Sequence, residues 1–179
     1  MPNLRATAQK LALAQSRFLA AADTVDSSQW NTTPSPGAWS AAQLVAHLCL
    51  VERGILGYAD RVIRKRPLPV SLLQRLHFPL ALVESRLIKR KSPSALLPKT
   101  LGSKEELLAD LRSVRERTLA FLKETHGRDL SVYCWPHPFL GRLDFYTWFT
   151  FVAAHQIRHT KQMVEISQNI PNRVVSSQK

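Results

Sequence analysis

The sequence predicts an all-α chain: a four-helix bundle with a long crossover segment between its second and third helices. Three observations point there. Glycine is scarce, six in 179 residues, and leucine and alanine outweigh the β-branched residues that strands favour. Four stretches repeat apolar residues at three- and four-residue spacing. Two of those stretches open on a serine followed three residues later by Gln or Glu, the pattern of a capping box. A chain of 179 residues can bury one real core. We read a single domain over residues 1–168 and a polar tail over 169–179.

The first helix is expected from Leu4 to Val25, with Leu4, Ala8, Leu11, Phe18 and Ala22 along one face and Asn3 as its cap. A polar connection follows and ends in Pro34-Ser-Pro-Gly37, which forbids a continuous helix. The second helix starts at Ser40, paired with Gln43 in a capping box, with Trp39 and Leu44 placed as a hydrophobic staple. Its apolar face runs through Leu44, Leu48, Val51, Ile55, Ala59 and Val62, and His47 interrupts it. Arg61, Arg64, Lys65 and Arg66 close this helix before Pro67.

Residues 67 to 102 form the expected crossover, with some helix between Leu72 and Lys91, broken or restarted near Pro79. Ser103 and Glu106 then open the third main helix, Lys104 to about Thr125. Leu107, Leu111, Val114, Thr118, Phe121 and Leu122 form its buried side, and His126-Gly127 its exit. Residues 127–142 are rich in proline and aromatic side chains and read as a loop lying over something apolar. The fourth helix is expected from Asp144, its cap, to Gln168, with Leu143 and Trp148 as staple.

The net charge of +12 admits nucleic acid or an acidic partner, held by the arms Arg61–Arg66 and Arg86–Lys91. The plainer reading is two solvated helix ends and attraction of small anions. No run of eighteen apolar residues suggests a membrane span, and the N-terminus lacks a signal-peptide pattern. The expectation is therefore a cytoplasmic protein. Cys49 and Cys134, far apart in sequence, read as free thiols.

Histidines carry the chemistry. His155 and His159 in the fourth helix are four residues apart, so both imidazoles share a face and suit one divalent metal. A HxxxH pair is more often two ordinary, partly buried histidines. His47, polar on a core face, is the candidate third ligand, though taken alone such a residue is more often a core histidine bonded to a neighbour such as Glu52 or to a backbone carbonyl. Facing positions in a bundle build such sites, and three histidines leave a place for water or substrate. His137, in the aromatic loop, is a candidate catalytic residue, either as a proton donor or as a further member of the metal site. Glu52 is a second catalytic candidate, with a large angular offset from His47 that places it outside the ligand set. It would support a histidine or face solvent. Gln156 and Gln162 are weaker candidates for supporting the ligands.

The stretches Pro36-Gly-Ala-Trp-Ser-Ala-Ala-Gln-Leu-Val-Ala-His47-Leu, His137-Pro-Phe-Leu-Gly141 and Ala-His155-Gln-Ile-Arg-His159-Thr-Lys-Gln162 resemble the DinB/YfiT-like family of four-helix-bundle metalloenzymes. The resemblance extends over nearly the whole chain. It implies a divalent metal (zinc, nickel or iron) on His47, His155 and His159, and a small-molecule substrate. A thiol-dependent transferase using a low-molecular-weight thiol as cosubstrate is the leading expectation. A metal-dependent hydrolase and a non-catalytic basic binding protein are the alternatives, and a homodimer is a candidate assembly. The long basic segment after the second helix departs from the family pattern. The expected pocket lies between the second and fourth helices, with the Tyr133–Phe139 loop at its mouth.

Overall fold

The computed structural model describes residues 4–67, 81–84 and 102–170. The expected cap Asn3, the basic arm Arg86–Lys91 and most of the tail lie outside them. Among the described residues five α-helices follow in order: α1 (Leu4–Asp23), α2 (Ala41–Val62), the single turn α3 (Ala81–Glu84), α4 (Lys104–Glu124) and α5 (Phe145–Asn169). The four long ones form the predicted bundle. A short 3₁₀ turn, Ser27–Gln29, lies between α1 and α2. Helix α1 packs on α5 and α2 on α4, while α2–α5 and α1–α4 contacts close the bundle. The stretch 63–103, which contains α3, is the long link between α2 and α4.

The caps explain where the helices begin. Ser40 Oγ accepts from the Gln43 amide at 3.2 Å, and the Gln43 side chain accepts from the Ser40 amide at 2.9 Å. Ser103 and Glu106 repeat the arrangement at the head of α4. Asp144 Oδ1 accepts from the amides of Tyr146 and Thr147 at 2.9 and 3.1 Å, so the first turn of α5 leaves few donors orphaned.

One expectation is corrected. Residues 134–144 are not loop but a small antiparallel hairpin, β1 (Cys134–His137) and β2 (Gly141–Asp144). Pro136 and Pro138 argued against a strand. A two-stranded sheet has only edge strands, where a missing N–H costs little. Gly141, at φ 76°, takes the left-handed conformation that a three-residue hairpin loop requires, and it pairs with His137. The hairpin closes one end of the bundle. Trp148 Nε1 donates to the Trp135 carbonyl at 3.2 Å, and Trp135 stacks between Trp148 and Tyr58.

The apolar core falls into two clusters. One gathers Phe18, Trp30, Leu44, Leu48, Leu111, Met163 and Ile166. The other gathers Leu11, Ile55, Leu122, Trp135, Phe145 and Phe149, at the hairpin end. Each helix passes from one cluster to the other along its length. The change falls near Glu52 on α2, Arg115 on α4 and Gln156 on α5, which places a polar layer across the middle of the bundle. No described helix is long and apolar enough to cross a membrane.

Candidate metal centre

Helix α2 contributes His47, and α5 contributes His155 and His159 one turn apart. The Nε2 atoms of His155 and His159 are 3.1 Å apart, and those of His155 and His47 are 3.4 Å apart. The ligand atoms of all three lie within 4.8 Å of one another. Neighbouring donors around a tetrahedral zinc with Zn–N bonds near 2.0–2.1 Å stand about 3.3 Å apart, so the two closer separations match.

The protonation of the cluster argues the same way. Gln162 Oε1 faces His159 Nδ1 at 3.0 Å. A carbonyl oxygen only accepts, so Nδ1 carries the proton and His159 Nε2 is left as a lone pair aimed at its neighbours. A single proton on His155 Nε2 can serve one neighbour and not both. A divalent cation would satisfy all three lone pairs together, and the donor set therefore fits one.

His47 and His159 are buried at 4% and 8% exposure, and His155 is half-buried. The His155 ring nitrogens nevertheless sit within the cluster, and its pKa lies well below the ordinary value. Burial is the main cause, followed by His159, His47, His137 and Arg158. The ring is therefore neutral at physiological pH, the form that can ligate a metal. Two aromatic rings wall the cluster. Trp39 meets His47 edge-on at 4.9 Å and lies parallel to His159 at 6.5 Å. Phe151 stacks on His155 at 5.4 Å. Neither was singled out from sequence for the site, although Phe151, His155 and His159 share one i, i+4 stripe.

His137 lies beside the cluster and outside the ligand group. The Phe151 ring separates it from His155, with its centroid 4.6 Å from that of His137. Its pKa is pushed down to about 4 by burial.

Glu52 occupies neither expected place, histidine support nor solvent. It is 3% exposed, and its two oxygens accept from Arg115 Nε at 2.8 Å and Nη2 at 2.9 Å. Arg115 Nη2 also donates to Gln156 Oε1 at 2.8 Å, and Nη1 donates to the Leu11 carbonyl. One guanidinium thus ties α1, α2, α4 and α5 together. Sequence reasoning missed Arg115, and the signal was available: it follows Val114 on the buried side of α4 and stands four residues after Leu111. Gln156 faces this network, whereas Gln162 supports a histidine.

Both cysteines are free and buried. The Cys49 thiol is pushed up to about 12, chiefly by burial and then by Asp110, so it supplies no thiolate. Of the basic arms, Arg61, Arg64, Lys65 and Arg66 are exposed. Arg64 pairs with Asp60 at 2.8 Å, and Arg61 lies over the Tyr58 ring.

The DinB superfamily signature matches residues 10–163. The chain belongs to the DinB superfamily. Among curated proteins it is similar to the uncharacterized protein YuaE of Bacillus subtilis (strain 168), 28% identical over 141 residues, which cover 78% of this chain and 84% of that one. Among solved structures it is similar to YfiT from Bacillus subtilis, described as a probable metal-dependent hydrolase with an unusual four-helix bundle topology. The TM-score is 0.62 at 16% identity, over 92% of this chain and 86% of that one. It is also similar to TT2238, a four-helix bundle protein, with a TM-score of 0.59 at 21% identity over 89% and 97% of the two chains. At these identities the structural likeness establishes the fold that this DinB-superfamily chain shares with them.

Proposed function

We propose that this protein is a metal-dependent hydrolase of a small-molecule ester or amide, with the metal held by His47, His155 and His159. The observation that carries this reading is the convergence of three Nε2 atoms from two helices, with no carboxylate among them. When bound, a divalent ion in such a nitrogen set supplies Lewis acidity and lowers the pKa of water. The chain's own residues do the rest. Gln162 holds the His159 proton on Nδ1, so that Nε2 stays available. Trp39 and Phe151 exclude bulk water from two sides of the cluster.

A hydrolase stands ahead of the thiol-dependent transferase for one reason. The similar fold of YfiT is described as a probable metal-dependent hydrolase. The deciding experiment starts with elemental analysis of protein purified without added metal, alongside His155→Ala. One ion per chain, lost in the variant, is expected. Hydrolysis of a panel of simple esters and amides should then stop with chelator and return with metal. Trace metal in both proteins, or hydrolysis indifferent to chelator, overturns the proposal. Turnover that needs added thiol would reinstate the transferase.

A further inference from the structure

His137 is held in one tautomer by its own hairpin. The amides of Phe139 and Leu140 donate to Nδ1 at 3.1 and 3.2 Å. A nitrogen accepting two N–H groups carries a lone pair, so the proton of the neutral ring is on Nε2. The ring is also fixed in place. It packs on Trp148 at 5.2 Å and Phe151 at 4.6 Å, at the end of a strand, between Pro136 and Pro138, opposite Gly141. Nε2 has no hydrogen-bond partner among the described residues. A donor on an immobile, half-buried ring therefore sits one aromatic side chain from His155, because Phe151 touches both.

We infer that His137 Nε2–H is a preorganised hydrogen-bond donor to substrate at the edge of the histidine cluster, selecting molecules that present an acyl oxygen there. This rests on the metal reading above. The same geometry narrows the role open to the ring. With Nδ1 occupied by backbone amides, protonation would break two hydrogen bonds and charge a partly dry ring. The depressed pKa agrees. His137 is thus a donor of a hydrogen bond rather than a shuttle of protons. Such a donor favours the point where negative charge builds on an acyl oxygen and requires no reorganisation when it does.

The test uses the zinc-loaded full chain and two small probes. Acetohydroxamate offers an acyl oxygen beside the metal, and imidazole binds metal without one. One neutral hydrogen bond predicts that His137→Phe, which keeps the aromatic packing, weakens acetohydroxamate about 3- to 10-fold. His137→Gln, which restores an N–H, should recover part of that loss, and imidazole affinity should be unchanged throughout. Equal acetohydroxamate affinity in the wild type and His137→Phe, with zinc retained, overturns this inference alone. An equal loss for both probes overturns it too, because the residue would then act on the metal site. Failure of the unsubstituted protein to retain zinc removes the metal reading beneath it, and is seen before any probe is added. Should His137→Phe not fold, the unsubstituted protein still decides. The His137 Nε2–H proton resonance should move downfield on adding acetohydroxamate, and an unmoved signal overturns the inference.

Discussion

Two polar clusters occupy the middle of one bundle and differ in what they need. Around Arg115, charge and donors are matched: one guanidinium, one carboxylate, one amide oxygen and one backbone carbonyl. That cluster is nearly complete without help, Gln156 Nε2 being its one buried atom without a partner. Around His155, three imidazole nitrogens face one another without a carboxylate in the group. Three nitrogen donors converging in this way suit a divalent cation. The first cluster holds four helices together, and the second has the donors to hold a cation. Their nearness lets the first give the second its rigidity, since Gln156 and His155 are consecutive on α5.

The contrast breaks most sharply at Arg115. Arg115→Met should cost about 3–5 kcal/mol in urea unfolding, because Glu52 is left charged and buried without a partner. Adding Glu52→Gln should recover much of the loss. A double variant no better than the single would mean that packing, not charge, is at stake.

A smaller effect is expected at the other cluster. At a free metal concentration a hundredfold above Kd, zinc should stabilise the wild type by about 2.7 kcal/mol, and His155→Ala should lose that gain while the metal-free stability changes little. Calorimetry with and without chelator reads both quantities. Gln162→Leu separates support from ligation. Metal affinity should fall about 10- to 100-fold as the His159 tautomer is released, with stoichiometry kept at one. A direct competition assay against a coloured chelator measures it.

The last effect concerns His137 and pH. Its folded pKa, about 4, lies below the ordinary 6.5. As pH falls through 6.5 the unfolded chain takes up this proton first, so the native state loses stability between pH 6.5 and 4 and keeps it above. In chelator-treated protein, His137→Phe should show a shallower loss over that window. Parallel pH–stability curves would count against the burial of this ring.

Much of the bundle was legible because helix signals are local. Serine caps with their Gln43 and Glu106 partners, the Asp144 cap and the stripes on α1, α2, α4 and α5 all depend on residues within one or two turns. His47, His155 and His159 were legible as candidates for a related reason: a polar residue on an apolar face needs a partner. The hairpin was not, because strand pairing joins residues by register, and its prolines masked a sheet that has only edges.

The sequence by itself determined four helices, their starts and three histidines on core faces. Only the tertiary structure decided which polar groups meet. Glu52 and Arg115 are 63 residues apart in sequence, and His47 and His155 are 108 apart. No periodicity relates such positions. Packing α2 against both α4 and α5 gives it two buried flanks, one turned to Arg115 and one to the α5 histidines. Glu52 therefore became the counterion of an arginine on α4, while His47, five residues earlier, joined the pair on α5.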